Sequence, residues 1–234
     1  MASVAIGVGL ADTARLSAHG MVIPALHDAA NDARITYTPA CGRAAGVPVC
    51  LNPAYRRWLP DVNAALAPVL AEVAGLPGTP VRATQVAAAY SSSAGGPQAI
   101  TLGGQPPVLR LSLGSFDLPG PCGFCDRPVA TKQFADQVRL GFAQAFVGAG
   151  NGSGSPAQQA MLAALLRGAG IPFAAQPGLM AAKNGPGPPP AAATGPVYAA
   201  AQRLATLPAA ARHAWLAAHL AALRAGQLTL KELP

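Results

Sequence analysis

Residues 41–75 read CGRAAGVPVCLNPAYRRWLPDVNAALAPVLAEVAG and combine an extended first part with a long helical second part. Cys41 and Cys50 enclose a glycine-containing loop, and Val47–Leu51 is a short apolar run of the kind found in strands. Just before the loop, Arg34–Thr38 alternates in polarity and is β-branched, which predicts another strand. The order expected here is therefore strand, loop, strand and helix.

The helical part begins at Asn52-Pro53 and ends at Gly75. Asparagine is a good N-cap, proline is tolerated in the first turn, and glycine often follows the last turn. The apolar side chains recur at helical spacing and form one broad stripe, made of Leu59, Val62, Leu66, Val69, Leu70 and Val73. Pro60 and Pro68 lie inside this span, so we expect the helix to be kinked or divided in two.

Strands and helices continue on the C-terminal side of this stretch. Thr79–Val86 and Val108–Leu113 have strand character, and Ser155 with Pro156 provides a clear helix start. Further helices are predicted over residues 129–147, 155–167, 197–206 and 209–225, and another over residues 11–33 on the N-terminal side. The sequence therefore predicts an α+β fold that is helix-dominated, with a small sheet and a helical C-terminal third.

A chain of 234 residues suffices for one large domain or two small ones. We predict a mixed α/β domain over residues 11–150 and a helical region over residues 151–234. Within the second region, residues 184–196 are rich in proline, glycine and alanine and are expected to form a spacer. Met1–Leu10 is apolar but shorter than the ~18–20 residues of a membrane span, so it is either a buried segment or the end of a span.

The composition is apolar and poor in charge. Hydrophobic residues make up 51% of the chain and charged residues 11%, against about 25% charged residues in ordinary soluble domains. The net charge is +7, yet the arginines are scattered along the sequence. Only Tyr55-Arg56-Arg57-Trp58 places basic and aromatic residues together, and it is one helical turn long. Nucleic acid is therefore not an expected partner.

No catalytic group stands out in the sequence. His19, His27 and Asp28 are an alternative set of metal ligands, but the histidines do not have the spacing of a zinc-binding helix. We expect no catalytic residue, no cofactor and no metal. The alternative from the enzyme class is a metal- or thiol-dependent hydrolase that uses His19, His27 or the C-x2-C pair.

The four cysteines form the most informative cluster, spaced as C-x8-C and C-x2-C. Cys41 and Cys50 are predicted to form a disulfide, because Gly42, Gly46 and Pro48 can turn the chain between them. Cys122 and Cys125 are a candidate second pair. A zinc site with four cysteines, a redox C-x2-C motif and reduced structural thiols remain alternatives.

The C-terminal helix carries large apolar side chains at helical spacing. Trp215, Leu216, Leu220 and Leu223 fall along one stripe of residues 209–225. We expect this stripe to be buried, with Trp215 as its largest contact.

Several segments resemble the C-terminal, extracytoplasmic portion of actinobacterial ABC-type transporter permease-like proteins. These segments are Ala11–Gly20, Val49–Tyr55 with its continuation through Gly78, Pro156–Gln159, Ala214–Gly226 and Leu228–Pro234. The resemblance covers most of the chain in scattered blocks, and its motifs are structural rather than catalytic. In that family the domain follows a bundle of membrane helices, which would make Met1–Leu10 the end of the last span.

The resemblance implies a non-catalytic domain on the extracytoplasmic face of the cell membrane. Its expected partners are transporter subunits or a lipid surface. The family also pairs two cysteines around a short loop, which matches Cys41 and Cys50, but offers no counterpart of Cys122 and Cys125. A cytoplasmic helical interaction protein is the remaining alternative.

Overall fold

The computed structural model describes residues 38–86, 99–116, 118–119, 130–149, 154–173 and 195–234. Within these ranges the chain forms a five-stranded mixed sheet and five α-helices. The fold is α+β and rich in helix, and the predicted fold class is confirmed.

The strands are short and form a single sheet. They are β1 (Ala40–Ala44), β2 (Val47–Leu51), β3 (Arg82–Gln85), β4 (Ile100–Gly103) and β5 (Val108–Leu111). The strand order is β1-β2-β3-β5-β4. The outer pairs β1/β2 and β4/β5 are antiparallel, while β3 pairs in parallel with both β2 and β5.

The helices are α1 (Leu59–Glu72), α2 (Thr131–Val147), α3 (Pro156–Gly168), α4 (Pro196–Thr206) and α5 (Ala209–Arg224). Two 3-10 helices, Pro53–Trp58 and Leu113–Ser115, precede α1 and follow β5. No helix in the described ranges has the length and apolar character needed to cross a membrane.

The segment between the two first cysteines is a β-hairpin, so the predicted loop is wrong in its first half. Strand β1 begins at Ala40, and Thr38 is not part of a strand, while the rest of the predicted strand Arg34–Thr38 lies outside the described residues. Ala45 and Gly46 form the two-residue turn, with φ angles of 47° and 84°. Positive φ at both turn positions matches the right-handed twist of the strands, and glycine adopts it without strain.

The span predicted as one kinked or divided helix consists of the 3-10 helix Pro53–Trp58 followed by α1, and α1 continues through Pro68 without a division. The Asn52 side chain accepts a hydrogen bond from the Ala54 backbone N–H at 2.9 Å and starts the 3-10 helix. Pro60 lies in the first turn of α1, where its missing N–H has no helical partner to lose. Strand β1 lies close to this helix at Gly42. A Cβ atom at that position would come within 2.4 Å of the Asn63 side chain, so the close approach requires glycine.

The chain divides into two compact units. The sheet unit consists of residues 1–66 and 80–138, and the helical unit consists of residues 67–79 and 139–234. The boundaries fall inside α1 and α2, so each unit is built from two separate stretches of sequence. The division predicted after residue 150 stays a prediction.

The sheet unit has its core on one face of the sheet. Alternate residues of the strands are buried there: Ala44, Val49, Leu51, Ala83, Gln85, Ile100, Leu109 and Leu111. Tyr55, Trp58 and Val62 are also buried in this unit. The residues that alternate with this core row, among them Arg43, Thr84 and Arg110, are exposed or partly exposed and form the second face of the sheet.

Helix α3 is the central element of the helical unit. Nine of its residues are buried: Ala157, Gln158, Ala160, Met161, Leu162, Ala163, Ala164, Leu165 and Leu166. A helix that is apolar on all sides must be surrounded by other elements, and its alanines allow them to approach closely. As predicted, Ser155 is its N-cap, and Ser155 and Gln158 exchange hydrogen bonds in a capping box.

The Gln158 side chain also satisfies carbonyl groups at the ends of two other helices. Its Nε2 lies 3.2 Å from the carbonyl oxygens of Val147 and Gly148, at the C-terminal end of α2, and 3.3 Å from that of Arg224, at the end of α5. Arg224 in turn donates from Nε to the Phe146 carbonyl at 2.7 Å, and burial lowers the pKa of its guanidinium. Helix C-termini leave carbonyls unpaired, so one amide group here replaces several missing partners.

The C-terminal helix packs with Leu216, Leu220 and Leu223 buried, but the predicted burial of Trp215 is wrong. The leucines continue a stripe that begins at Arg212, at spacings of four, four and three residues. Trp215 precedes Leu216 by one residue, which rotates it about 100° around the helix to the flank of the stripe. It is partly exposed there, and its ring stacks on that of His219 with 4.6 Å between the centroids.

Replacing Gln158 with methionine is expected to lower the free energy of unfolding by about 3 kcal/mol, because several buried groups lose their partners at once. Gln202→Met is the matched control, since Gln202 is an exposed residue of α4. Its loss is expected to stay within about 0.5 kcal/mol. Urea unfolding followed by circular dichroism measures both. Equal losses in the two variants would show that the Gln158 hydrogen bonds do not hold the helix ends.

Candidate functional site

The exposed face of the sheet is the first candidate site, and we call it the basic face. It carries the arginines of three strands, Arg43 on β1, Arg82 on β3 and Arg110 on β5, all of them exposed. The alternation of side chains places them opposite the buried residues. Their neighbours on the face are short: Cys41, Pro48, Cys50, Thr84, Thr101, Gly103 and Val108.

The strand register aligns these residues in two rows across the sheet. In the first row Arg43 faces Pro48 on β2, and Arg82 faces Val108 on β5. In the second row the Cys41–Cys50 pair is followed by Thr84, then Arg110 and finally Thr101. Arg82 and Arg110 are therefore diagonal neighbours on adjacent strands, and Arg43 lies two strands away from Arg82.

The predicted disulfide between Cys41 and Cys50 is present at the edge of this face. The two residues face each other in the hairpin, and their Cα atoms are 4.1 Å apart. Counting pairs from the two-residue turn places them at a non-hydrogen-bonded position, where facing side chains come closest. Pro48 is at the other such position of this ladder, so its missing N–H costs the hairpin no hydrogen bond.

The basic face has positive charge without an acidic neighbour on its strands. No aspartate or glutamate occurs in the five strands. Arg43 is held partly in place, because its guanidinium donates to the Gly46 carbonyl at 2.9 Å. The Arg110 side chain extends over β4. Its guanidinium lies so close to Gly103 that a Cβ atom added there would be 3.9 Å from it. Arginine stays protonated at every physiological pH, so the face is permanently cationic.

The basic and aromatic run noted in the sequence has a structural role. Tyr55 and Trp58 are buried with their ring centroids 5.4 Å apart. The Trp58 ring nitrogen donates to the Pro119 carbonyl at 3.1 Å, and the Arg57 guanidinium lies 3.8 Å from the Trp58 ring centre. These rings are occupied by packing within the sheet unit, so stacking of a nucleic-acid base is not supported here.

A second polar cluster lies in the helical unit beside a groove of about 380 Å³. Glu72, at the end of α1, pairs with Arg212 of α5 at 2.7 Å. Arg212 also approaches the Leu204 carbonyl at 3.4 Å, and His213 Nε2 lies 2.7 Å from the Ala74 carbonyl oxygen. These groups already pair with one another or with helix ends, so the cluster is best described as a clamp between helices.

The other predicted site residues cannot be placed. His19, His27, Asp28, Cys122 and Cys125 lie outside the described residues, as does the spacer apart from Gly195 and Pro196. In the ranges that are described, no three histidine, cysteine or acidic side chains come together in a way that could hold a metal ion.

The basic face is the feature that the sequence reasoning missed. Its arginines are 28 or more residues apart along the chain, and only the register of parallel and antiparallel strands brings them together. The sequences of β3 and β5 did indicate which residues share a face. In both strands buried residues alternate with exposed or partly exposed ones, as the sequences Arg-Ala-Thr-Gln and Val-Leu-Arg-Leu show. The strand order was the missing information.

Comparisons with family models, curated proteins and solved structures give no match for this chain. The interpretation of the basic face therefore depends on its own geometry and charge.

Arg212→Met is expected to lower the free energy of unfolding by about 2 kcal/mol, since it leaves the half-buried Glu72 carboxylate without its cation. Lys132→Met breaks the exposed pair with Asp136 and serves as control, with an expected loss below about 0.5 kcal/mol. A double replacement of Glu72 and Arg212 should recover part of the loss. Arg212→Met behaving like Lys132→Met in chemical unfolding would contradict the clamp.

Proposed function

We propose that this chain is a non-catalytic extracytoplasmic domain of an ABC-type membrane transport system, and that it makes its contacts through the basic face. The observation that carries the proposal is the position of the Cys41–Cys50 disulfide, at the edge of an exposed arginine face whose five strands contain no aspartate or glutamate. The disulfide supports the compartment, and the face supports a role in contact.

The compartment is argued from the redox chemistry of cysteine. Disulfides form and persist outside the cytoplasm, where thiols are not kept reduced. Cys41 is exposed, so reducing agents of a cytoplasm would reach this bond directly. Closing a loop of this length stabilises a fold by about 2–3 kcal/mol in the loop-entropy model. That is a large part of the usual total stability of about 5–15 kcal/mol.

The contact role is argued from the chemistry of the face. A guanidinium group is a fixed cation with several N–H donors, so Arg43, Arg82 and Arg110 are suited to bind anions and poorly suited to acid–base catalysis. The side chains between them are short, which leaves the guanidinium groups accessible to a large, flat partner. These properties support binding rather than turnover.

The transport assignment comes from the sequence resemblance to actinobacterial ABC-type transporter permease-like proteins. It implies transporter subunits or a lipid surface as partners and the extracytoplasmic face of the cell membrane as the location. The basic face is compatible with either partner, since both can present anionic groups.

Reporter fusions at Pro234, made at the native gene locus, test the location. An alkaline phosphatase that requires export for its own disulfides should be active, and a fluorescent protein that matures in the cytoplasm should stay dark. The reverse pattern, with a dark phosphatase and a bright cytoplasmic reporter, would contradict the proposal.

In-cell photo-cross-linking tests the contact. A photoreactive residue at Thr84, in the middle of the basic face, should capture a membrane transport polypeptide or lipid in intact cells. The same residue at Gln202, exposed on α4, is the control and should give a different pattern. Capture of cytoplasmic proteins alone from Thr84 would argue for the cytoplasmic alternative.

A further inference from the structure

We infer that the basic face binds the surface of a membrane that contains anionic phospholipids, with Arg43, Arg82 and Arg110 each contacting a separate phosphate group. This inference rests on the proposed function, because it names the partner of the face that the proposal assigns to contact. The occupant is a lipid surface, and an acidic partner protein is an outcome that the experiment below distinguishes.

The spacing of the arginines fits a planar array of anions. Neighbouring strands lie about 4.8 Å apart, so Arg43 and Arg82, two strands apart, start from points about 10 Å from each other. Arg110 is the diagonal neighbour of Arg82 on the next strand. The three stems are thus spread across four of the five strands of the sheet. They can reach several phosphates that lie side by side in one plane.

The face is less suited to the other large anionic partners. A protein interface usually depends on large aromatic or aliphatic anchors at its centre, whereas this face carries Thr84 at its centre and the disulfide and Thr101 toward its edges. Recognition of single-stranded nucleic acid depends on aromatic stacking, and the five strands contain no aromatic residue. A lipid headgroup layer requires neither, since attraction between charges is enough.

The expected affinity is modest. One arginine close to an anionic membrane strengthens binding by about fivefold, so three give a gain on the order of a hundredfold. Such a gain suits a domain that is already held near the membrane by its own chain or partner, where effective concentration is high. Because the contact is electrostatic and exposed, it should weaken strongly as salt increases.

Vesicle flotation of the full chain tests the inference. Vesicles of phosphatidylcholine and phosphatidylglycerol in equal parts should bind the protein at low salt, and vesicles of phosphatidylcholine alone should not. Arg43→Gln, Arg82→Gln and Arg110→Gln together should reduce binding on the order of a hundredfold. The same three positions changed to lysine should bind nearly as the original chain does, which separates the charge of the face from its folding.

The matched control removes three exposed cations of the helical unit, through Arg167→Gln, Arg203→Gln and Lys231→Gln. It has the same net charge as the glutamine triple variant and should lose less than about threefold in binding. Equal losses in the two variants would show general adhesion of a cationic protein and overturn the inference.

Two further outcomes concern other sources of the anion. Inorganic phosphate, compared with chloride at equal ionic strength, should not displace the protein, and displacement would indicate a discrete phosphate site instead of a surface. Absence of vesicle binding by the original chain, together with capture of a transport polypeptide at Thr84, would assign the face to a protein partner. That result would overturn this inference and leave the proposed function standing, whereas a cytoplasmic location in the reporter test would overturn the proposed function alone.

Discussion

The covalent bond between Cys41 and Cys50 is the constraint on which the sheet unit most depends. Strand β1 is five residues long and lies at the edge of the sheet, and among the described strands it pairs with β2 alone. A short edge strand gains little from its own hydrogen bonds, and the disulfide keeps it in register with its neighbour. This register also decides the face of Arg43, because a shift by one residue would turn its side chain toward the core. The hairpin thus links the stability of the sheet to the composition of the basic face.

The few charged groups of the chain are used differently in the two units. In the helical unit, Glu72 and Arg212 pair beside Gly168 at the C-terminal end of α3, where a Cβ would meet the Glu72 carboxylate at 2.6 Å. At the N-terminal end of α3, Gln158 bonds carbonyls at the C-terminal ends of α2 and α5. Polar groups there compensate helix ends around an alanine-rich core that offers few large contacts. In the sheet unit, three arginines are exposed on the surface. This arrangement is expected of side chains that bind a partner and contribute little to folding stability.

Local patterns predicted much of this fold, because helices are determined by nearby residues. The helix after Ser155 ends within a residue of its predicted end, and Val47–Leu51 is a strand as expected. Strand β4 and the position of β1 were not predicted, because a strand of four or five residues acquires its identity from its partners. The burial of Trp215 was also beyond local patterns. Trp215 lies at the flank of an apolar stripe, and the position next to it in the sequence, Leu216, is the one that faces the core. The basic face depended wholly on strand order and could not be predicted from spacing along the chain.

The most direct test of the extracytoplasmic account is the redox state of Cys41 and Cys50 in cells of the native host. Free thiols should be alkylated before lysis, and the protein then digested with trypsin without reduction. Cleavage after Arg34, Arg43 and Arg56 places the two cysteines on separate peptides, one ending at Arg43 and the other beginning at Ala44. The account predicts that mass spectrometry finds these peptides joined, with the summed mass less two hydrogen atoms. Two separate peptides, each with an alkylated thiol, would contradict it.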